Sequence, residues 1–179
     1  MLFRSNGLVL SNESLNLKTQ AFNNTGDVIS NHDLSLNTNV FNNAETAKIS
    51  ALKDISLQIQ QDQANNNGLV SAAKNLVIDA KNLTNNHTLQ ANVVDLKVNN
   101  LLNQKDILAE NRVNLNAQTD ISNTGEIYAN NLVDIVAGNA VTNKNKIYTA
   151  RDGNSKVSIK SAALINDLPK TGLITSDQL

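Results

Sequence analysis

The chain has 179 residues, a formal net charge of −1, 40% hydrophobic residues and no cysteine. The near-neutral charge gives no electrostatic reason to expect nucleic acid or an acidic membrane as a partner, and the missing cysteine excludes disulfides, thiolate metal sites and cysteine nucleophiles. No apolar run approaches the roughly 20 residues of a membrane helix, so we do not expect the chain to span a membrane.

Asparagine is frequent and large aromatic residues are rare. The sequence contains 32 Asn, but only three Phe, two Tyr and no Trp. Small aliphatic side chains must therefore fill any core. Asparagine, far above its average usage, is expected to have a structural role.

Read from the N-terminus, the sequence repeats one pattern about every 20 residues. Successive units begin at Ser5, Asn24, Asn43, Asn66, Asn85, Asn103, Asn123 and Asn143, and an incomplete unit begins at Asn166. After Asn123, apolar or small residues follow at Ile127, Ala129, Val133, Ile135 and Ala137. The same offsets select such residues in every complete unit once short slips are allowed.

The slips fall between the apolar positions. The Asn43 unit has two extra residues before Ile49, and the Asn85 unit is one residue short between Ala91 and Val94. The Asn143 unit carries a polar insertion, ARDGNSK, from Ala150 to Lys156. The units are thus 18 to 23 residues long.

Apolar residues recur at every second position within a unit, which is the period of a strand and not of a helix. One unit cannot bury its own apolar face, but stacked units share a continuous core. The repeat therefore predicts an all-β fold: residues 1–179 form a single parallel β-helix, a β-solenoid of about eight coils and about 40 Å in length. Leucine-rich repeats and calcium-binding nonapeptide solenoids do not fit, because their L-x-x-L-x-L spacing and repeated Gly-Gly and Asp are absent.

The recurring asparagine predicts a ladder in which each amide bonds the same amide in the coils above and below. The expected members are Asn24, Asn43, Asn66, Asn85, Asn103, Asn123, Asn143 and Asn166. The ladder could run through the interior or along a corner, where asparagine would tolerate a left-handed backbone. Gly7, Gly26, Gly68 and Gly125 share the position two residues later, which suits either a positive φ or close stacking.

The unit N-x-G-x-I-x-A-x-x-x-V-x-I-x-A, present as NTGEIYANNLVDIVA and NTGDVISNHDLSLNT, resembles the haemagglutinin repeats of filamentous-haemagglutinin-like proteins. These are large bacterial exoproteins exported by two-partner secretion, and they include adhesins and the stalks of contact-dependent growth-inhibition toxins. The resemblance covers nearly the whole chain. It implies a right-handed parallel β-helix, secreted or on the bacterial cell surface, with an outer-membrane transporter and a host or neighbouring-cell receptor as partners of the parent protein.

The chain also departs from that family. The NPNL and NPNG motifs of the family's secretion domain are absent, and no toxin domain follows the repeats. We therefore expect an internal segment of a longer exoprotein. No adhesive or toxic activity is carried over to any residue.

Several polar residues could carry chemistry. Asp79, Asp95 and Asp134, with Arg112 nearby, alternate with apolar residues and could bind Ca²⁺ or act in acid–base catalysis if they converged. The equivalent positions in other units are Asn or Ser, so we interpret these residues as a solvated face. The two histidines, His32 and His87, lie at different offsets and are interpreted as residues of surface turns.

Other features have equally plain interpretations. Four Asn-x-Ser/Thr sequons, at Asn12, Asn23, Asn82 and Asn86, arise easily by chance in a chain so rich in asparagine. The insertion from Ala150 to Lys156 is a better candidate for binding, because solenoid insertions form loops on one face. A plain longer turn is the favoured interpretation.

The resulting hypothesis is a structural and interaction segment, a stalk, without enzymatic activity; we assign no catalytic, cofactor-binding or metal-binding residue. The alternative is a β-helical lyase or hydrolase that acts on polysaccharides through the outward Asp and Arg residues. A third possibility is a self-assembling filament subunit, because a cut solenoid exposes strand edges at both ends.

Overall fold

The computed structural model describes residues 1–61, 63–150, 153–167 and 173–177. These residues form twenty strands and no helix. In chain order the strands are β1 (Leu2–Ser5), β2 (Leu8–Ser11), β3 (Leu15–Asn24), β4 (Asp27–Ser30), β5 (Leu34–Asn43), β6 (Lys48–Ala51), β7 (Ile55–Ile59), β8 (Ala64–Asn66), β9 (Leu69–Ala72), β10 (Asn75–Asn85), β11 (Leu89–Asn103), β12 (Ile107–Ala117), β13 (Ile121–Asn123), β14 (Glu126–Ala129), β15 (Leu132–Ala137), β16 (Ala140–Asn143), β17 (Lys146–Thr149), β18 (Lys156–Lys160), β19 (Ala163–Asn166) and β20 (Leu173–Thr175).

Every strand pairs in parallel with strands of the adjacent coils, so the predicted parallel β-solenoid of about eight turns is confirmed. The pairings define three faces. Face 1 contains β2, β4, β6, β9, the starts of β11 and β12, β14, β17 and β20. Face 2 contains the starts of β3, β5 and β10, then β7, the middle of β11, the end of β12, β15 and β18. Face 3 contains β1, the ends of β3, β5, β10 and β11, then β8, β13, β16 and β19.

The pairing register joins the first residues of successive units. Ser5 lies opposite Asn24, and the same pairing continues from each unit to the next up to Asn143 opposite Asn166. A coil is named below by this residue. A slip of one residue would turn every inward side chain outward, so the alternating pattern fixes the register.

The core is a stack of aliphatic side chains from all three faces. On face 1, for example, Ile107, Ile127 and Ile147 are stacked and fully buried. Aromatic residues contribute at one end only, where Phe22 stacks on Phe41 with ring centroids 5.7 Å apart. Burial of each such side chain contributes about 1.5–3 kcal/mol, and only neighbouring coils provide it.

The slips in coil length are accommodated between strands or at a bulge. The short Asn85 coil produces a register shift between Ala91 and Val93 in β11. In the long Asn43 coil, the extra residues leave Ala47 buried, and its carbonyl oxygen accepts a hydrogen bond from Leu69 N at 3.0 Å. Both neighbours of each irregular coil keep their pairing, so a local change in length does not propagate along the solenoid.

Candidate functional site

The predicted asparagine positions form one continuous ladder along the inner side of face 3. Each Nδ2 donates to the Oδ1 of the next asparagine along the chain, over distances of 2.8–3.0 Å. The ladder runs through Asn24, Asn43, Asn66, Asn85, Asn103, Asn123, Asn143 and Asn166. All the amides therefore point the same way along the solenoid axis.

The ladder lies in the interior, which decides between the two positions that the sequence left open. Asn123 is 0% exposed and the other members up to Asn143 are equally buried, while Asn166 is partly exposed. The other hydrogen of the side-chain amide is donated to main-chain carbonyl oxygens at the beginning of face 1. Asn123 Nδ2, for example, donates to Gly125 O at 2.9 Å. The ladder thus links faces 3 and 1 as well as successive coils.

The turn after the ladder requires close stacking and not a left-handed backbone. No described residue other than glycine has a positive φ, so the left-handed corner considered for asparagine is wrong. A Cβ added to Gly125 would lie 2.0 Å from Lys105 O of the preceding coil, and one added to Gly26 would lie 2.2 Å from Gly7 O. At these two positions glycine is therefore needed, because the turn lies against the turn of the preceding coil.

The outward carboxylates do not share one site. Asp95 and Asp134 belong to one column of face 2, but Asn114 lies between them and donates to Asp95 Oδ1. Asp79 belongs to the next column, opposite Lys97. Two coil spacings separate Asp95 from Asp134 by about 10 Å.

Arg112 lies in a third column of face 2, opposite Val93 and Leu132. Among the described residues, no group of three or more His, Cys, Asp or Glu side chains could hold a metal ion. The convergence of charged side chains on which the enzymatic alternative depends is therefore not present at Asp79, Asp95, Asp134 and Arg112.

The histidines lie at different corners of the solenoid. His32 follows face 1, whereas His87 follows face 3. His87 Nδ1 accepts a hydrogen bond from Thr88 N at 2.8 Å, so the ring is held by its own turn. The sequon residues Asn12 and Asn82 each accept a hydrogen bond from an asparagine of the next coil, at 3.1 and 2.8 Å.

The insertion after β17 folds back onto the solenoid where it is described. Residues 151 and 152 lie outside the described residues, as do Pro169 and Gly172. Ser155 is 1% exposed; its hydroxyl accepts from Thr149 Oγ1 at 2.9 Å and donates to Asp177 Oδ2 at 3.0 Å. Gly153 N also donates to this carboxylate, at 2.7 Å.

A polar cluster on face 1 was not singled out from the sequence. Lys146 Nζ donates to Glu126 Oε1 at 2.7 Å, and Tyr148 OH donates to Glu126 Oε2 at 3.1 Å. The hydrogen bond from Lys146 lowers the pKa of Glu126, while burial and the hydrogen bond to Glu126 raise the pKa of Tyr148 to about 12. The ring of Tyr148 also packs against Tyr128, with centroids 4.7 Å apart. Tyr128 and Tyr148 occupy the same position in two consecutive units, and this shared position is the sequence signal that predicts their contact.

Both ends of the described solenoid expose apolar side chains. Leu8 and Leu10 of the first coil are more than half exposed, and Leu164 and Ile165 are about half exposed in the last turn.

The described residues include no helix long and apolar enough to span a lipid bilayer.

These features define the chain as a parallel β-solenoid with a buried amide ladder and a polar exterior. Comparison of the chain with family models, with curated proteins and with solved structures gives no match. The fold and its surface therefore carry the functional conclusions below.

Proposed function

We propose that this chain is a structural and interaction segment of a large secreted bacterial surface exoprotein, a stalk that extends an adhesive or toxic region away from the cell. The observation that carries the proposal is the continuity of the repeat. One amide ladder connects every coil from Asn24 to Asn166 without a break. The resemblance of the repeat to haemagglutinin repeats supplies the biological context.

The architecture suits an extended spacer. Each coil adds about 4.8 Å of length, and its contacts are mainly with its two neighbours. More coils can therefore lengthen the rod without changing the coils already present. The outward side chains also pair between coils, as in Asn131 Nδ2 to Asn111 Oδ1 at 2.9 Å, so the polar surface is ordered along the same axis.

The proposal includes partners of the parent protein. These are an outer-membrane transporter of the two-partner-secretion type and a receptor on a host or neighbouring cell. A chain without cysteine suits export in an unfolded state, because no disulfide can form before the chain has crossed the outer membrane.

An export experiment tests the proposal. The chain is fused downstream of a two-partner secretion domain and expressed with and without the matching transporter. We expect transporter-dependent appearance outside the outer membrane, measured by protease accessibility in intact cells. A haemagglutinin-repeat segment of equal length from a known exoprotein is the matched control. Retention of this chain in the periplasm while the control is exported would contradict the proposal.

A further inference from the structure

The short coil lies at a notch on the outer surface. In the Asn85 coil, Asn92 alone lies between Ala91 and Val93, where the strand register shifts. The following coil has two residues, Glu110 and Asn111, at the same corner. Because this corner is one residue shorter than the corner of the following coil, we expect it to recede relative to that corner.

The notch has a volume of about 470 Å³ and extends across four coils. One wall is a single outward column of face 1, formed by Ser71, Gln90, Leu108 and Tyr128 in consecutive coils. The opposite wall is the corner between faces 1 and 2, formed by Ala73, Asn92, Glu110 and Asn130. At the coil spacing, four coils give the notch a length of about 14 Å.

The walls combine hydrogen-bonding groups with apolar surface. Gln90 Nε2 donates to Ser71 Oγ at 3.0 Å, and Tyr128 OH donates to Asn130 Oδ1 at 2.6 Å. The side chain of Leu108 lies between these two pairs in the column. The notch therefore offers amide and hydroxyl groups on both sides of an aliphatic and aromatic strip.

Charge narrows the class of ligand. Glu110 is the one ionisable carboxylate that lines the notch, and the lining includes no Lys, Arg or His. An anionic polymer would bring its charge near Glu110, and no residue that lines the notch carries a positive charge. A carboxylate and amides instead accept and donate hydrogen bonds to hydroxyl groups, while an aromatic ring packs on C–H surface.

We propose that the notch binds a neutral saccharide, whose rings present hydroxyl groups at their edges and C–H groups on their faces. The inference rests on the geometry of the notch and goes beyond a stalk function. It concerns the chain alone, so export in the experiment above neither supports nor contradicts it. The notch would give this segment of the rod its own affinity for glycan.

Tyrosine fluorescence gives a direct test, because the chain has two Tyr and no Trp. In the Tyr148→Phe variant, the remaining emission comes from Tyr128 in the notch. Neutral hexasaccharides of glucose, mannose and galactose are titrated separately, with heparin and polygalacturonate hexasaccharides and an Asn/Ser-rich peptide as competitors of other chemistry. We expect at least one neutral hexasaccharide to change the emission saturably. The absence of any such change, or tighter binding of an anionic saccharide or of the peptide, would overturn the proposal.

Variants then locate the site. Gln90→Ala is expected to weaken saccharide binding about tenfold, since one hydrogen bond to a ligand contributes about 1–1.5 kcal/mol. Insertion of one Asn after Asn92 restores the corner to two residues and is expected to abolish binding. The matched control is Gln58→Ala on face 2, which removes an exposed glutamine with a similar inter-coil contact to Asn37, at 3.2 Å. Circular dichroism verifies that each variant is folded. Equal affinity of the Gln90→Ala and Gln58→Ala variants would show that the ligand binds elsewhere.

Discussion

Substitution of Asn103 by alanine removes one member from the middle of the buried ladder. The Asn103 amide nitrogen donates to Asn123 Oδ1 at 2.8 Å and to Lys105 O at 2.6 Å, and Asn103 Oδ1 accepts from Asn85 Nδ2 at 2.8 Å. Asn85 Nδ2 keeps a second acceptor, Asp106 O at 3.2 Å. Asn123 Oδ1, the acceptor in the fully buried neighbouring asparagine, loses this donor, and a buried acceptor left unpaired costs about 1–3 kcal/mol. The lost hydrogen bonds of Asn103 add about 1 kcal/mol, so we expect the free energy of unfolding to fall by about 3 kcal/mol.

Urea unfolding followed by far-ultraviolet circular dichroism measures this loss. The matched control is Asn100→Ala in the same coil, because Asn100 is exposed, donates to Asn82 Oδ1 at 2.8 Å and accepts a hydrogen bond from Thr119 Oγ1. Exposed contacts of this kind are expected to contribute less than about 0.5 kcal/mol together. Equal losses in the Asn103→Ala and Asn100→Ala variants would refute the reasoning, because the buried ladder would then contribute no more than a surface contact.

The isosteric change Asn103→Asp adds a dependence on pH. An ionised carboxyl cannot donate to Asn123 Oδ1, and burial without a cation raises its pKa in the folded state. Because the folded pKa lies above the unfolded one, the variant is most stable below the unfolded pKa and loses stability as pH rises through the folded pKa. Urea midpoints at several pH values measure this slope. The exposed change Asn100→Asp should lack it, and parallel profiles for the two variants would contradict the prediction.

Two further predictions concern face 1 and the turns. Gly125→Ala places a Cβ 2.0 Å from a backbone oxygen and is expected to cost about 2–3 kcal/mol in urea unfolding, whereas Gly7→Ala meets nothing within 4 Å and should be nearly neutral. Tyr148, observed by tyrosinate absorbance in Tyr128→Phe, should ionise with a pKa of about 12. Its stabilising contribution is present below the unfolded pKa of about 10 and is lost as pH rises through about 12. Glu126→Gln should lower this pKa in part, because burial remains, and an unchanged titration would contradict the contribution of the hydrogen bond to Glu126.

The structure changes where function is to be sought on this molecule. The residues that recur most regularly, the ladder asparagines, hold the coils together and are buried from Asn24 to Asn143. The outward carboxylates Asp79, Asp95 and Asp134 are distributed over two columns of face 2. The proposed binding notch lies instead at an irregular coil, the short Asn85 coil. A change in the length of one coil alters the outer surface, while the stacked interior is kept.

The alternation of apolar and polar residues is enough to predict on which side of the strand the ladder asparagines lie. Ile121 and Asn123 lie two residues apart in one short strand, so both must point to the same side, and the apolar residue identifies that side as the interior. Likewise Asp79 follows Asn66, the first residue of its coil, by 13 positions, whereas Asp134 follows Asn123 by 11, which places these two carboxylates in different columns. The interior ladder was therefore predictable from the alternation, and the separation of Asp79 from Asp134 from their offsets within the unit.

The sequence by itself determined the repeat, the strand alternation and the identity of the ladder residues, because each depends on spacing within one unit or between equivalent positions. Only the tertiary structure decided why Gly125 must be glycine, since the obstacle is a carbonyl oxygen of another coil. The tertiary structure also placed Glu110, Tyr128 and Asn92 along one notch. Such contacts depend on how the chain path of one coil lies against its neighbours, and a one-residue difference in corner length acquires a shape only after the coils are stacked.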